Sequence, residues 1–198
     1  MIEGLNGITQ ETTQNILFGA GTIHKNLKYT AGAEGKAGAW NFEASCVGAT
    51  SGGSKLSIVP EIYDVQVDGP AVLVKGLRKK VGEKASMEVN LIQLSADTIV
   101  AAAMAVKGES DVDTHDLIES KADIEEGDYW ENIAFVGKTL DGRDVIAILE
   151  NALCTSGFEN EGKNKESGVI KLTFECHADA NTAMDKLPWK IYYPKATA

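Results

Sequence analysis

The chain has 198 residues, 43% of them hydrophobic, and a formal net charge of −10. That length suits one domain with a sizeable core, and the acidic balance argues against a protein that grips nucleic acid, since such binding needs clustered Lys and Arg to neutralise phosphates. No apolar run approaches the ~18 residues that span a bilayer, and the opening MIEGLNGITQ lacks the basic and apolar regions of a secretion signal, so a soluble chain made in the cytoplasm without a membrane anchor is expected.

Residues 1–14 are polar and rich in Gly and Thr with no sustained period, which predicts a flexible N-terminal arm ahead of one β domain over 15–198. NILFGAGTIHKNLKY then offers a short apolar strand, a glycine break and a second strand, and TAGAEGKAGAW predicts a loop over 30–39. The chain resumes at WNFEASCVGAT, breaks at SGGS, and continues as LSIVPEIYDVQV, where Tyr63, Val65 and Val67 alternate with Asp64 and Gln66. Pro60 cannot donate a ladder hydrogen bond, so 54–59 and 61–67 read as one bent strand. A second strand, AVLVKGL, follows a turn at Asp68-Gly69-Pro70, making 61–77 a hairpin.

ASMEVNLIQL alternates, with Ala85, Met87, Val89 and Leu91 on one face and Ser86, Glu88 and Asn90 on the other. Ser95 caps a predicted helix over about 95–106, with Asp97 in its first turn and a stripe of Ile99, Val100, Ala103 and Met104. Further on, YWENIAFVGKTL and DVIAILENAL flank an Asp141-Gly142 turn and form a hairpin, and the unbroken run from Val145 to Leu149 suits a strand covered on both faces. VIKLTFEC alternates again, Ile170, Leu172, Phe174 and Cys176 inward, and WKIYYP is a short aromatic strand ended by Pro194. Many short strands and one helix predict a mainly β fold, an antiparallel β-sandwich or barrel with one flanking α-helix and extended arms or loops.

Chemistry is harder to find. Cys46, Cys154 and Cys176 are odd in number and lack a C-x-x-C pair, so buried free thiols are expected. GATSGGSK (48–55) resembles a phosphate loop but leads into a strand, where no helix N-terminus supplies donors. FGAGTIH has G-x-G without the third glycine and reads as a bulge or tight turn. On a strand Asp111, Asp113 and His115 would share a face, yet as an EF-hand loop the segment fails at Asp116 and Ala122, and a solvated acidic strand is expected. His177 beside Cys176 points to the opposite face of a strand, and no triad is visible. Residues 109–131 hold ten acidic residues against one lysine, hence −9, and read as a solvated face or loop. LRKK at 77–80 is the sole basic cluster and is expected to decorate a hairpin or meet an acidic neighbour. No catalytic residue, cofactor or metal is assigned, and the chain is read as a non-enzyme.

Several stretches carry a family likeness: EIYDVQVDG from Glu61 to Gly69, VKGL from Val74 to Leu77, MEVNLIQLS from Met87 to Ser95, ILENAL at 148–153 and PWKIYYP at 188–194. Together they resemble the major tail (tail tube) proteins of long-tailed bacteriophages and of prophage-derived tails of Gram-positive bacteria, over about Asn15 to Pro194. The resemblance implies a virion structural protein of the phage tail, made in the host bacterial cytoplasm. Its subunits form hexameric rings that stack into a hollow tube conducting DNA without specific binding, with ruler and terminator proteins as partners.

On that likeness Tyr63, Val65, Val67, Val72 and Val74 are the candidates for pairing with neighbouring subunits. Asp64, Asp68 and Glu88 are the lumen-facing candidates, whose charge would let the duplex slide. Gly48, Ser51, Gly52 and Gly53 are candidates for loops that reach the next ring. The alternatives are a monomeric β-sandwich binding module for a carbohydrate or protein partner, and a hydrolase with a metal at 111–116.

Overall fold

A computed structural model describes residues 7–9, 11–162, 164–165, 167–181 and 184–195; of the arm expected over 1–14, residues 1–6 and 10 lie outside the described residues. In chain order the elements are α1 (Thr12–Asn15), β1 (Leu17–Lys25), β2 (Tyr29–Thr30), β3 (Ala39–Trp40), α2 (Phe42–Ser45), β4 (Thr50–Asp64), β5 (Arg78–Leu91), α3 (Ala96–Ala103), β6 (Ala105–Gly108), β7 (Leu117–Ser120), β8 (Trp130–Thr139), β9 (Asp144–Cys154), β10 (Ile170–Cys176) and β11 (Trp189–Tyr192). The fold is mainly β, an antiparallel sandwich with a helix on its flank.

The main sheet runs β1-β8-β9-β10-β5-β4, and β11 joins β9 alongside β10. One edge of β9 is thus shared. β10 meets it only near Cys154, opposite Phe174, while β11 takes the other end, Tyr192 opposite Ile146. From there β10 peels away to pair with β5 along its whole length, and the outer strands β1 and β4 approach each other around the core.

Alternation in the sequence explains which faces are buried. Ala85, Met87, Val89 and Leu91 of β5 and Ile170, Leu172, Phe174 and Cys176 of β10 all point inward, while Glu88, Lys171 and Glu175 meet solvent. In β9 the run Val145–Leu149 is buried throughout because it is covered on both faces. Leu149 joins the main core with Ile133 and Phe174, while Ile146 and Ile148 pack with Leu27, Ala134 and Val136 under Trp40 and Phe42. The β8–β9 turn forms at Asp141-Gly142, with Gly142 at φ +88° and its N–H donating to Thr139 O at 2.9 Å. Gly21, at φ +67°, lies in the register shift between Phe18 and Thr22, where an added Cβ would stand 2.3 Å from the Phe135 ring. The G-x-G is therefore a bulge inside β1.

Several expectations are corrected. The hairpin pairs 50–64 with 78–91, so the alternating AVLVKGL belongs to a loop, 65–77, and is not a strand. A turn at Asp68-Gly69 would put Pro70, which has no N–H, at the first pairing position. Past the body there is also no third strand or core for the valines to bury against. Ser95 does cap α3, accepting from Thr98 N at 3.2 Å, but the buried face is Thr98, Ala101 and Ala102, because the sheet surface admits small side chains there and leaves Ile99, Val100 and Met104 half-buried and Ala103 exposed. Met104 ends the helix in the left-handed region at φ 49°, short of Lys107-Gly108. Cys46 is exposed, since it leaves α2 in an isolated bridge to His24 at the sheet margin; Cys154 and Cys176 are buried. Ser51, Gly52 and Gly53 are no loop but a bulged part of β4, held by Asn90 Nδ2 donating to Gly53 O at 3.0 Å; Gly48 stays in a loop.

Candidate assembly surfaces

β5 stays paired with β10 as far as Ser86, opposite Glu175. Beyond it β4 and β5 run on together for about 25 Å as a two-stranded arm, closed by the 65–77 loop. Side chains pin the arm at both ends. At the root the Glu83 carboxylate accepts from Lys80 Nζ and from Trp189 Nε1, the latter at 2.6 Å, and these bonds hold it below the usual carboxylate range. At the far end Arg78 forks onto Asp64, Nε to Oδ1 at 2.5 Å and Nη2 to Oδ2 at 3.3 Å, which lowers the Asp64 carboxyl likewise. Inside the loop Val65 N donates to Leu77 O at 2.8 Å, enclosing a cleft of about 260 Å³.

What this arm shows to solvent is apolar. Val59, Ile62, Tyr63, Val65, Val67, Val72, Leu73, Val74 and Val81 are all exposed, Val72 by 78% and Leu73 by 73%. All five candidates for subunit pairing thus gather on it, Tyr63 at the end of β4 and the four valines in the loop. The sequence reading passed over Leu73, Ile62 and Val81. The molecule as a whole is under-buried: its accessible surface is 14105 Å², against about 9000 Å² for a compact monomer of this mass. The outward edges of β1 and β4 also lack a neighbouring strand in the main sheet.

The lumen-facing candidates differ among themselves. Asp64 is held by Arg78, Glu88 takes Lys55 Nζ at 3.0 Å, and Asp68 is exposed in the loop. LRKK is divided the same way, Arg78 on Asp64 and Lys80 on Glu83.

Elsewhere, chemically interesting groups are scattered. Asp111, Asp113 and His115 sit exposed in a turn between β6 and β7, not on the expected acidic strand, because Ser110 Oγ closes a local turn on Val112. Among the described residues no His, Cys, Asp and Glu converge as a metal site. Burial pushes the Cys176 thiol up to about 11, and its Sγ–H donates to Glu150 O at 3.2 Å. Such a thiol is a packing group. An exposed aromatic cleft of about 390 Å³, lined by Tyr29, Trp40, Ile146, Tyr192, Tyr193, Pro194 and Asp144, lies where the β2–β3 hairpin meets β11. Only the aromatic composition of WKIYYP hinted at it.

His24 is 3% exposed between two hydroxyls, Nδ1 to Ser45 Oγ at 2.9 Å and Nε2 to Thr22 Oγ1 at 2.8 Å. Ser45 already donates to Asn41 O, so Nδ1–H donates to Ser45 and Nε2 accepts from Thr22, which requires the neutral ring. Burial accordingly pushes the imidazole below its usual range. A depressed folded pKa makes this contribution complete above the unfolded value, about 6.5, and lost as pH falls through the folded value. The depressed carboxyls Asp64, Glu83 and Asp141 follow the same sign from about pH 4 downward. The urea midpoint of the unassembled chain should therefore be flat from pH 8 to 7, decline below pH ~6.5 and drop again below ~4. His24→Gln removes the first decline; a wild-type midpoint flat down to pH ~5 contradicts this assignment.

No protein-family model matches the chain, and no curated protein sequence matches it. Among the described residues no helix is long and apolar enough to cross a membrane.

Proposed function

We propose that this chain is a structural subunit that assembles with copies of itself into a hollow tube, as the tail tube proteins it resembles do. The observation that carries this reading is surface: about 5000 Å² more than a compact monomer exposes, with an apolar arm among it. A standard interface removes only about 800 Å² from each partner, so the excess accommodates several contacts per subunit. Ring closure joins the free sheet edges of adjacent copies and so removes them from solvent. Stacking joins unlike surfaces and does not close, which makes a filament whose length other proteins, a ruler and a terminator, must set. DNA passes through without being held, the virion tail being the site of action and six the ring number implied by the resemblance. Asp68 is the strongest of the lumen-facing candidates, because Asp64 and Glu88 are already matched by cations.

The aromatic cleft favours a second reading, a monomeric module that stacks a sugar ring on Tyr29, Tyr192 or Tyr193. Sedimentation and negative-stain microscopy of the purified chain over rising concentration separate the two. Tubes of uniform width support the first; a chain that stays monomeric at millimolar concentration overturns it.

A further inference from the structure

Strand register places the two ends of the molecule. β5 runs from Arg78 at the arm to Leu91, β10 lies antiparallel to it with Ile170 opposite Leu91, and β9 and β8 alternate in turn with Trp130 opposite Ala152. Leu91, Ile170, Cys154 and Trp130 therefore share the pole opposite the arm. The helix α3 starts there, since Asp97 and Thr98 border a cleft with Lys25 and Trp130. β6 returns along it, for Lys107 Nζ pairs with Asp97 at 2.7 Å and also feels the charge of Asp116. The acidic segment 109–131 is thus carried at that pole.

The two poles are complementary. In the second half of the arm, residues 71–84, Lys75, Arg78, Lys79, Lys80 and Lys84 stand against Glu83 alone; Glu61 and Asp68 lie on the first half. Once Arg78 and Lys80 are paired, Lys75, Lys79 and Lys84 have no ion pair among the described residues. At the opposite pole Lys28, Lys107 and Lys121 are matched by Glu131, Asp97 and Asp128, and Lys25 lies over the Trp130 ring, which leaves Glu109, Asp111, Asp113, Asp123 and Glu126 exposed without one. Apolar side chains accompany both charges, Val72 and Leu73 on the arm, Val112 and Ile124 at the acidic pole. A nucleic acid would satisfy the lysines and leave the valines wet. A second copy of this chain satisfies both.

Resting on the assembly reading above, we infer that the arm of one copy docks on the acidic 109–126 surface of the next, lysines to carboxylates and Val72 and Leu73 against Val112 and Ile124. The contact is head to tail and repeats without closing. Opposite charges also fix polarity, because arm-to-arm and acid-to-acid encounters set like charges together.

The experiment uses the full chain and reads the concentration at which polymer appears by sedimentation. Lys75→Glu, Lys79→Glu and Lys84→Glu together, or Asp111→Lys, Asp113→Lys and Asp123→Lys together, should raise that concentration at least about tenfold. Combining both sets in one chain, or mixing chains that carry all-acidic and all-basic poles, should restore polymer, which a folding defect would not allow. Wild-type polymer that both reversals leave unchanged overturns the arm-to-acid contact while the assembly reading stands. Wild-type chain that never polymerises overturns both.

Discussion

Phe174→Ala destabilises the unassembled chain by about 3–5 kcal/mol, lowering its thermal midpoint by about 10 °C. Phe174 is 2% exposed and sits where the sheet divides, between Cys154 of β9 and Met87 of β5, its ring centroid 4.6 Å from that of Trp130. Truncation removes transfer free energy and leaves a cavity between two layers whose strands are tied into one ladder and cannot collapse to fill it. Phe174→Leu, which keeps most of the volume, should lose about 1–2 kcal/mol. Urea titration of both variants at neutral pH checks the pair; losses under ~1 kcal/mol for alanine would mean the β9–β10–β5 junction is less tightly packed than its burial indicates.

Such residues were legible in the sequence because one physical rule, alternation on a half-buried strand, governs them locally. The same rule accounts for Met87, Leu172 and the Asp141-Gly142 hairpin, where every residue that decides the structure lies within a few positions. It misleads at Val72 and Val74, which alternate as a buried strand would but have nothing in their own chain to lie against. The α3 stripe failed for a different reason: Ala101 and Ala102 are buried because the sheet comes close, and that distance is set by distant strands. Nor could local pattern show that β10 and β11 share one edge of β9, or that Trp189 reaches Glu83 across 106 positions. For the candidate surface, the exposed valines were visible as residue types, while the separation of the basic arm from the acidic segment onto opposite poles depends on register.

That separation makes the arm dispensable for folding and decisive for assembly. Replacing 65–77 by a two-residue Asn-Gly turn between Asp64 and Arg78, which are direct register partners, keeps both strands and the Arg78–Asp64 fork. Stability of the monomer should hold or rise by on the order of 1 kcal/mol, because a shorter loop loses less closure entropy and no buried side chain is removed. Polymer formation should respond in the opposite sense. The loop carries Val65, Val67, Val72, Leu73 and Val74, all exposed in the single chain. Burying each against a neighbour contributes about 1 kcal/mol or more, so their loss weakens association by roughly a thousandfold. Sedimentation across a concentration series, beside a urea curve for each protein, separates the two effects. A shortened chain that unfolds would place the loop in the fold itself; one that polymerises at the wild-type concentration would place the subunit contact elsewhere, on the β1 or β4 edge.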